Sequence, residues 1–144
     1  MNVLNKMASV LLAGAMLIAA LALPAAAQAA DKSKVVIQVS DNDPAKWNLA
    51  LNNAKNIQKD VGTDNVVIEI VAFGPGVNML KAESEVGNRI NDAVDTGIQV
   101  NACQNTMRNF KLVKEDMNAK VGYVPSGVVE IMRRQQEGFA YLRP

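Results

Sequence analysis

Residues 65–73 read Asn-Val-Val-Ile-Glu-Ile-Val-Ala-Phe, an almost unbroken β-branched apolar run interrupted only by Glu69. A strand with one wet face would alternate apolar and polar residues. A continuous run needs cover on both faces, and that is the signature of a parallel strand inside a layered α/β domain. The rest of the chain fits this frame. Lys34 to Val39 is a shorter β-branched run and reads as the first strand. Asp43-Pro44 then supplies an N-cap followed by proline at the first helical position. Trp47, Ala50, Leu51, Ala54 and Ile57 recur at helical spacing up to about Val61, and Gly62 suits the stop.

The alternation continues beyond the second strand. Gly74-Pro75-Gly76 reads as a loop, and Val77 to Leu80 is ambiguous between a strand end and a helical turn. The pattern predicts a second helix over Glu83 to Asp95, with Val86, Ile90, Ala93 and Val94 inward and Gly97 closing it. A third strand follows over Ile98 to Ala102. A short third helix starts near Asn105, with Met107 and Phe110 as its core candidates. Val121 to Val124 is the fourth strand, and Pro125-Ser126-Gly127 turns it into a helix carrying Val128, Val129, Ile131 and Met132. That helix ends near Gly138, and Phe139 to Leu142 forms the fifth strand. Strand–helix alternation of this kind predicts an α/β sandwich with a mostly parallel sheet and right-handed crossovers.

The first 29 residues read differently. Lys6 precedes an apolar run from Met7 to Leu23, Pro24 breaks it, and Ala27-Gln28-Ala29 is an A-x-A cleavage pattern. This predicts a secretory signal peptide cut after Ala29, no stable membrane anchor, and a single domain over residues 30–144 in the periplasm. Of fifteen basic residues only Lys6 lies in the leader, so the remaining fourteen balance the fourteen acidic ones. A neutral domain excludes the positive excess that nucleic-acid binding requires. It also makes self-association easier.

The chain has one cysteine, Cys103, and no histidine. A Cys–His nucleophile pair and a His-ligated zinc are both excluded. Cys103 falls where the third strand gives way to the third helix, so its sulfur meets the free N–H groups of a helix start, which favour a thiolate. In an open parallel sheet, ligands bind outside the carboxyl ends of the strands. Four loops gather there: Ser40 to Asp43, Gly74 to Gly76, Cys103 to Asn105, and Pro125 to Gly127. Cys103 is their only strong nucleophile. Asn105, Thr106, Gly74, Gly76, Ser126, Gly127 and Glu130 are the supporting candidates. A buried inert cysteine acting as a small hydrophobe is the competing reading.

Other motifs fall away. Asp41-Asn42-Asp43 begins like a calcium loop, but its sixth position is Lys46 and its twelfth is Asn52. Gly74-Pro75-Gly76 does not extend to G-x-G-x-x-G, because Met79 stands at the last glycine. Ser126 has no histidine to activate it and reads as a helix N-cap. No metal set and no cofactor motif is present in the sequence.

Three segments carry a family resemblance. They are Cys103-Gln104-Asn105-Thr106-Met107, Tyr123-Val124-Pro125-Ser126-Gly127-Val128-Val129-Glu130, and Gln135-Gln136-Glu137-Gly138-Phe139-Ala140-Tyr141. With Asp43-Pro44, Trp47 and Asn52-Asn53 they resemble the small, single-domain, secreted branch of the DsrE/DsrF-like family. The resemblance runs from about Val35 to Pro144. It implies a three-layer α/β/α sandwich on a five-stranded, mostly parallel sheet. It also implies homo-oligomers, trimers or hexamers, and no cofactor. In sulfur-relay members a cysteine at the matching place carries sulfane sulfur as a persulfide, received from one partner thiol and passed to another. Carried over, this makes Cys103 the sulfur-bearing residue of a sulfurtransferase-like carrier. The alternative is a non-catalytic oligomeric binding module in which the cysteine is structural.

Overall fold

In the computed structural model, which describes residues 31–144, five strands form one sheet in the order β4-β3-β2-β1-β5. They are β1 (Ser33–Val39), β2 (Val66–Ala72), β3 (Gln99–Cys103), β4 (Gly122–Val124) and β5 (Ala140–Leu142). Every neighbouring pair is parallel. The β1–β2 register runs unbroken from Ser33↔Val66 to Val39↔Ala72. Parallel neighbours need crossovers, and four helices take part in them: α1 (Pro44–Val61), α2 (Gly87–Asp95), α3 (Gln104–Asn109) and α4 (Gly127–Gln136). The expected signal peptide lies outside the described residues.

The two sheet faces differ. Val35, Ile37, Val39, Ile68, Ile70, Ala72, Val100 and Ala102 form one core with Trp47, Ala50, Leu51 and Ala54 of α1, Ile90 of α2 and Met107 of α3. The alternate residues Val36, Val71 and Val124 meet Ile131 of α4 and Phe139 in a smaller second core. Helices therefore cover both faces and the sandwich has three layers, but one helical layer is α4 alone. The expected start of α1 holds in detail. Asp43 Oδ1 accepts from the Ala45 N–H at 2.8 Å, with Pro44 next in line. The Trp47 indole N–H donates to the Asp41 carbonyl at 2.8 Å.

Glu69 sits inside the second, smaller layer and is fully buried. Its carboxylate accepts from Arg134 Nε at 2.5 Å and from Asn101 Nδ2 at 2.7 Å. Arg134 also pairs with Glu130 at 2.9 Å and Glu137 at 3.0 Å, and it lies 5.1 Å from the centre of the Phe139 ring. The one charge in the β2 run is thus the strand's tie to α4. A buried carboxylate persists only when charge and hydrogen bonds compensate the lost water.

Four expectations need correction. Gly74-Pro75-Gly76 is not a plain loop; it opens a 3₁₀ segment, Gly74–Leu80, that buries Val77, Met79 and Leu80. Helix α2 starts at Gly87 rather than Glu83, because the Ala82 N–H donates to the Asp116 carbonyl and Lys81 bridges to Met117, and two tight turns, closed by the Ser84 N–H on the Lys81 carbonyl and the Gly87 N–H on the Ser84 carbonyl, then occupy the stretch before the helix. Phe110 is exposed rather than core. Helix α3 stops at Asn109, Lys111 adopts a left-handed φ of 56°, and Leu112 folds back against the core in its place. Ser126 holds the N-cap position of α4, yet its hydroxyl makes no capping bond.

Replacing Arg134 by methionine leaves the buried Glu69 carboxylate with one neutral donor. Urea unfolding is expected to show a loss of about 3 kcal/mol for Arg134→Met, largely recovered in the double variant Glu69→Leu/Arg134→Met. A single variant as stable as the wild type would show that the pair does not hold α4 to the sheet.

Candidate functional site

Cys103 is the last residue of β3 and the N-cap of α3. Its Sγ accepts from the Thr106 N–H at 3.5 Å, as a serine or aspartate oxygen does in an ordinary cap. From the other side it accepts from the Gly127 N–H at 3.2 Å, and Gly127 is the first residue of α4. One sulfur therefore caps two helix starts. The pairing of β3 with β4, Cys103↔Val124, sets this up by placing the residues after both strands side by side. The Asn105 N–H donates to the Pro125 carbonyl at 3.2 Å and stitches the two turns together.

Glycine is required at two points around the sulfur. A Cβ on Gly127 would stand 2.9 Å from Phe73 Cβ, so α4 reaches Cys103 only because that position has no side chain. A Cβ on Gly76 would stand 2.7 Å from the Val39 carbonyl carbon, so the 3₁₀ segment lies directly on the end of β1. Thr106 joins the layers. Its Oγ accepts from the Gly74 N–H at 2.9 Å.

Burial pushes the Cys103 thiol up. The Thr106 hydroxyl and the N–H groups of Thr106, Gly127 and Asn105 outweigh that and hold it below the ordinary thiol value. The leading stabilising causes are these neutral dipoles rather than a cation. Cys103 is 4% exposed, so its sulfur lies just beneath the surface rather than on it. Among the described residues there is no cluster of three or more metal-ligating side chains.

The chain matches the DsrE/DsrF-like family over residues 33–144. The chain belongs to this family. A solved structure of the protein of unknown function MTH1491 from Methanobacterium thermoautotrophicum is 35% identical, with a TM-score of 0.75 over 78% of this chain and 100% of that one. BT1422 from Bacteroides thetaiotaomicron, a conserved protein of unknown function, is 18% identical, with a TM-score of 0.65 over 78% of this chain and 95% of that one. The ychN protein of E. coli is 10% identical, with a TM-score of 0.64 over 78% of this chain and 99% of that one. The last two likenesses concern the fold alone. No curated protein matches the chain in sequence.

Not every residue singled out in the DsrE-like sequence reaches the sulfur. Cys103, Thr106, Gly127 and the backbone of Asn105 converge, and Gly74 joins them through Thr106. Gly76 supports the neighbouring segment from beneath. Ser126 is adjacent through the chain alone. Glu130 turns away: it is buried, and its carboxylate binds Arg133 at 2.7 Å and Arg134 at 2.9 Å. The sequence pattern does not single out Phe73 or Pro125. Phe73 ends the β2 apolar run and reads as one more strand residue, while Pro125 acts through a carbonyl, which no side-chain pattern reveals.

Cys103 is the only thiol, so its rate of alkylation by iodoacetamide against pH reads it alone. The wild-type midpoint is expected below the free-cysteine value of about 8.5. In Thr106→Val it moves up, and stability falls by about 1–3 kcal/mol because the Gly74 N–H loses its acceptor. Since the folded value lies below the unfolded one, the thiolate stabilises the fold above about pH 8.5, and that contribution is lost as pH falls through the folded value. A wild-type midpoint at or above that of free cysteine would refute the double-cap account.

Proposed function

We propose that this protein is an exported sulfur carrier in which Cys103 takes up sulfane sulfur as a persulfide and releases it to an acceptor thiol. The observation that carries the reading is the pair of N–H groups, from Thr106 at 3.5 Å and Gly127 at 3.2 Å, facing Sγ. Membership of the DsrE/DsrF-like family supports it. The Cys103 thiolate attacks the sulfane sulfur of a donor. A bond forms between Sγ and that sulfur, the donor's sulfur–sulfur bond breaks, and the donor thiolate leaves with the electron pair. An acceptor thiolate then attacks the outer sulfur, and Cys103 departs as the thiolate its dipoles favour. Neither half needs an external oxidant or a cofactor.

Export rests on the leader pattern of residues 1–29. Self-association rests on the outer side of α4, where Val128, Val129 and Met132 are exposed beside Tyr141 of β5, on a domain of zero net charge. A homotrimer or homohexamer built on this face would cover the helix whose first N–H holds Cys103. The observation favouring the alternative, a binding module with a structural cysteine, is the low exposure of Cys103.

Mass spectrometry of protein recovered from the periplasm and treated with polysulfide tests export and chemistry together. The expected species begins at Ala30 and carries one added sulfur that is absent in Cys103→Ser. Protein confined to the cytoplasmic fraction and still beginning at Met1 would overturn export. A mature chain without the adduct would overturn the carrier reading and leave the binding module. Light scattering of Met132→Glu tests the α4 face; the variant is expected to run as a monomer where the wild type does not, and an unchanged mass would remove α4 from the interface.

A further inference from the structure

A second feature lies on the other helical layer, between α1 and α2. Leu51, Ala93 and Ile98 floor a cleft of about 170 Å³, and Lys55, Gln58, Arg89, Asp92 and Thr96 rim it. Ile98 directly precedes β3, whereas Cys103 ends that strand, so the cleft opens at the opposite edge of the sheet. The volume is below the roughly 300–1,000 Å³ of pockets for drug-sized molecules, so it suits a ligand of a few heavy atoms.

The rim has an unusual charge arrangement. Arg89 is held in place by neutral oxygens: its guanidinium donates to Asn48 Oδ1 and, at 2.6 Å, to Asn52 Oδ1, both one turn apart on α1. Among the described residues neither Arg89 nor Lys55 pairs with a carboxylate, although other lysines and arginines of the domain do. Asp92 forms no ion pair there either, which leaves the rim one positive charge in excess. Gln58 and Thr96 satisfy one another, with Thr96 Oγ donating to Gln58 Oε1 at 3.1 Å and Gln58 Nε2 donating to the Thr96 carbonyl at 2.9 Å. Gln58 and Thr96 are thus spoken for, and the charged groups of the rim without a counter-ion are Arg89, Lys55 and the single carboxylate of Asp92. An arginine fixed by amides keeps its full charge and a defined orientation for an outside anion.

We infer that the α1–α2 cleft binds a small organic monoanion, its charged head on Arg89 and Lys55 and its apolar part on Leu51, Ala93 and Ile98. This site is independent of the chemistry at Cys103. Amide chemical-shift titration of the mature protein with butanoate tests it, with butylamine and inorganic sulfate as controls. The expected result is saturable shifts at residues 51, 55, 89, 93 and 98, with a Kd on the order of 1 mM. Lys55→Gln, at an exposed position, weakens binding about threefold. Ala93→Leu fills the cleft and abolishes binding; folding of both variants is read from the same spectra. Shifts that do not saturate, butylamine acting at the same amides, or binding that survives in Ala93→Leu would each overturn the site. Sulfate binding as well as butanoate would overturn the organic part of the assignment.

Discussion

Everything at the functional edge depends on the parallel pairing of β2 with β1 and β3. Parallel ladders send every strand toward the same edge, so the chain must return across a face each time. The residues that follow the strands are thereby collected in one place. Cys103, Gly127 and Gly74 are distant in sequence and adjacent in space for this reason alone. The register Cys103↔Val124 then brings the first turn of α4 to the cysteine of β3 within hydrogen-bonding distance. A one-residue slip would turn Val124 out of its core and carry Gly127 away from the sulfur.

The two faces of the sheet are stabilised by different means. On the α1–α2 side, aliphatic packing over a broad core suffices. On the α4 side the apolar cluster is small, and the Glu69–Arg134 pair with Asn101 fills the middle of the layer. Ion pairs add less net stability than apolar packing, but they demand one geometry. That requirement suits the layer whose helix start has to meet a sulfur atom. Glu130, placed in the first turn of α4, serves the same network rather than the site.

Much of this was legible in the chain. The β2 run and the helical spacing from Trp47 to Ile57 gave the layers, and the strand-to-helix junction gave Cys103 its place at a helix start. The exceptions have two causes: contacts between segments far apart in sequence, and, at Phe110, a local reversal of the backbone. Helix α2 begins late because residues 81–82 pair with residues 116–117. Phe110 is exposed because α3 stops one residue short of it and the chain reverses at Lys111. The Gly127 N–H and the Pro125 carbonyl are backbone groups, invisible to any reading of side chains. Glu69 was visible as an oddity within an apolar strand, but its partner lies 65 positions away.

The sulfur of Cys103 occupies the place that a serine or aspartate oxygen fills in most proteins, and it does so for two helices at once. A cap is a mechanical fastener, and here the fastener is the sulfur of the chain's one cysteine. Its radius and charge set how closely α3 and α4 approach each other. Any atom added to it has to be accommodated between Thr106 and Gly127, one residue before the apolar outer surface of α4 begins at Val128. Were that sulfur to change its chemical state, the spacing of the two helix ends would have to change with it.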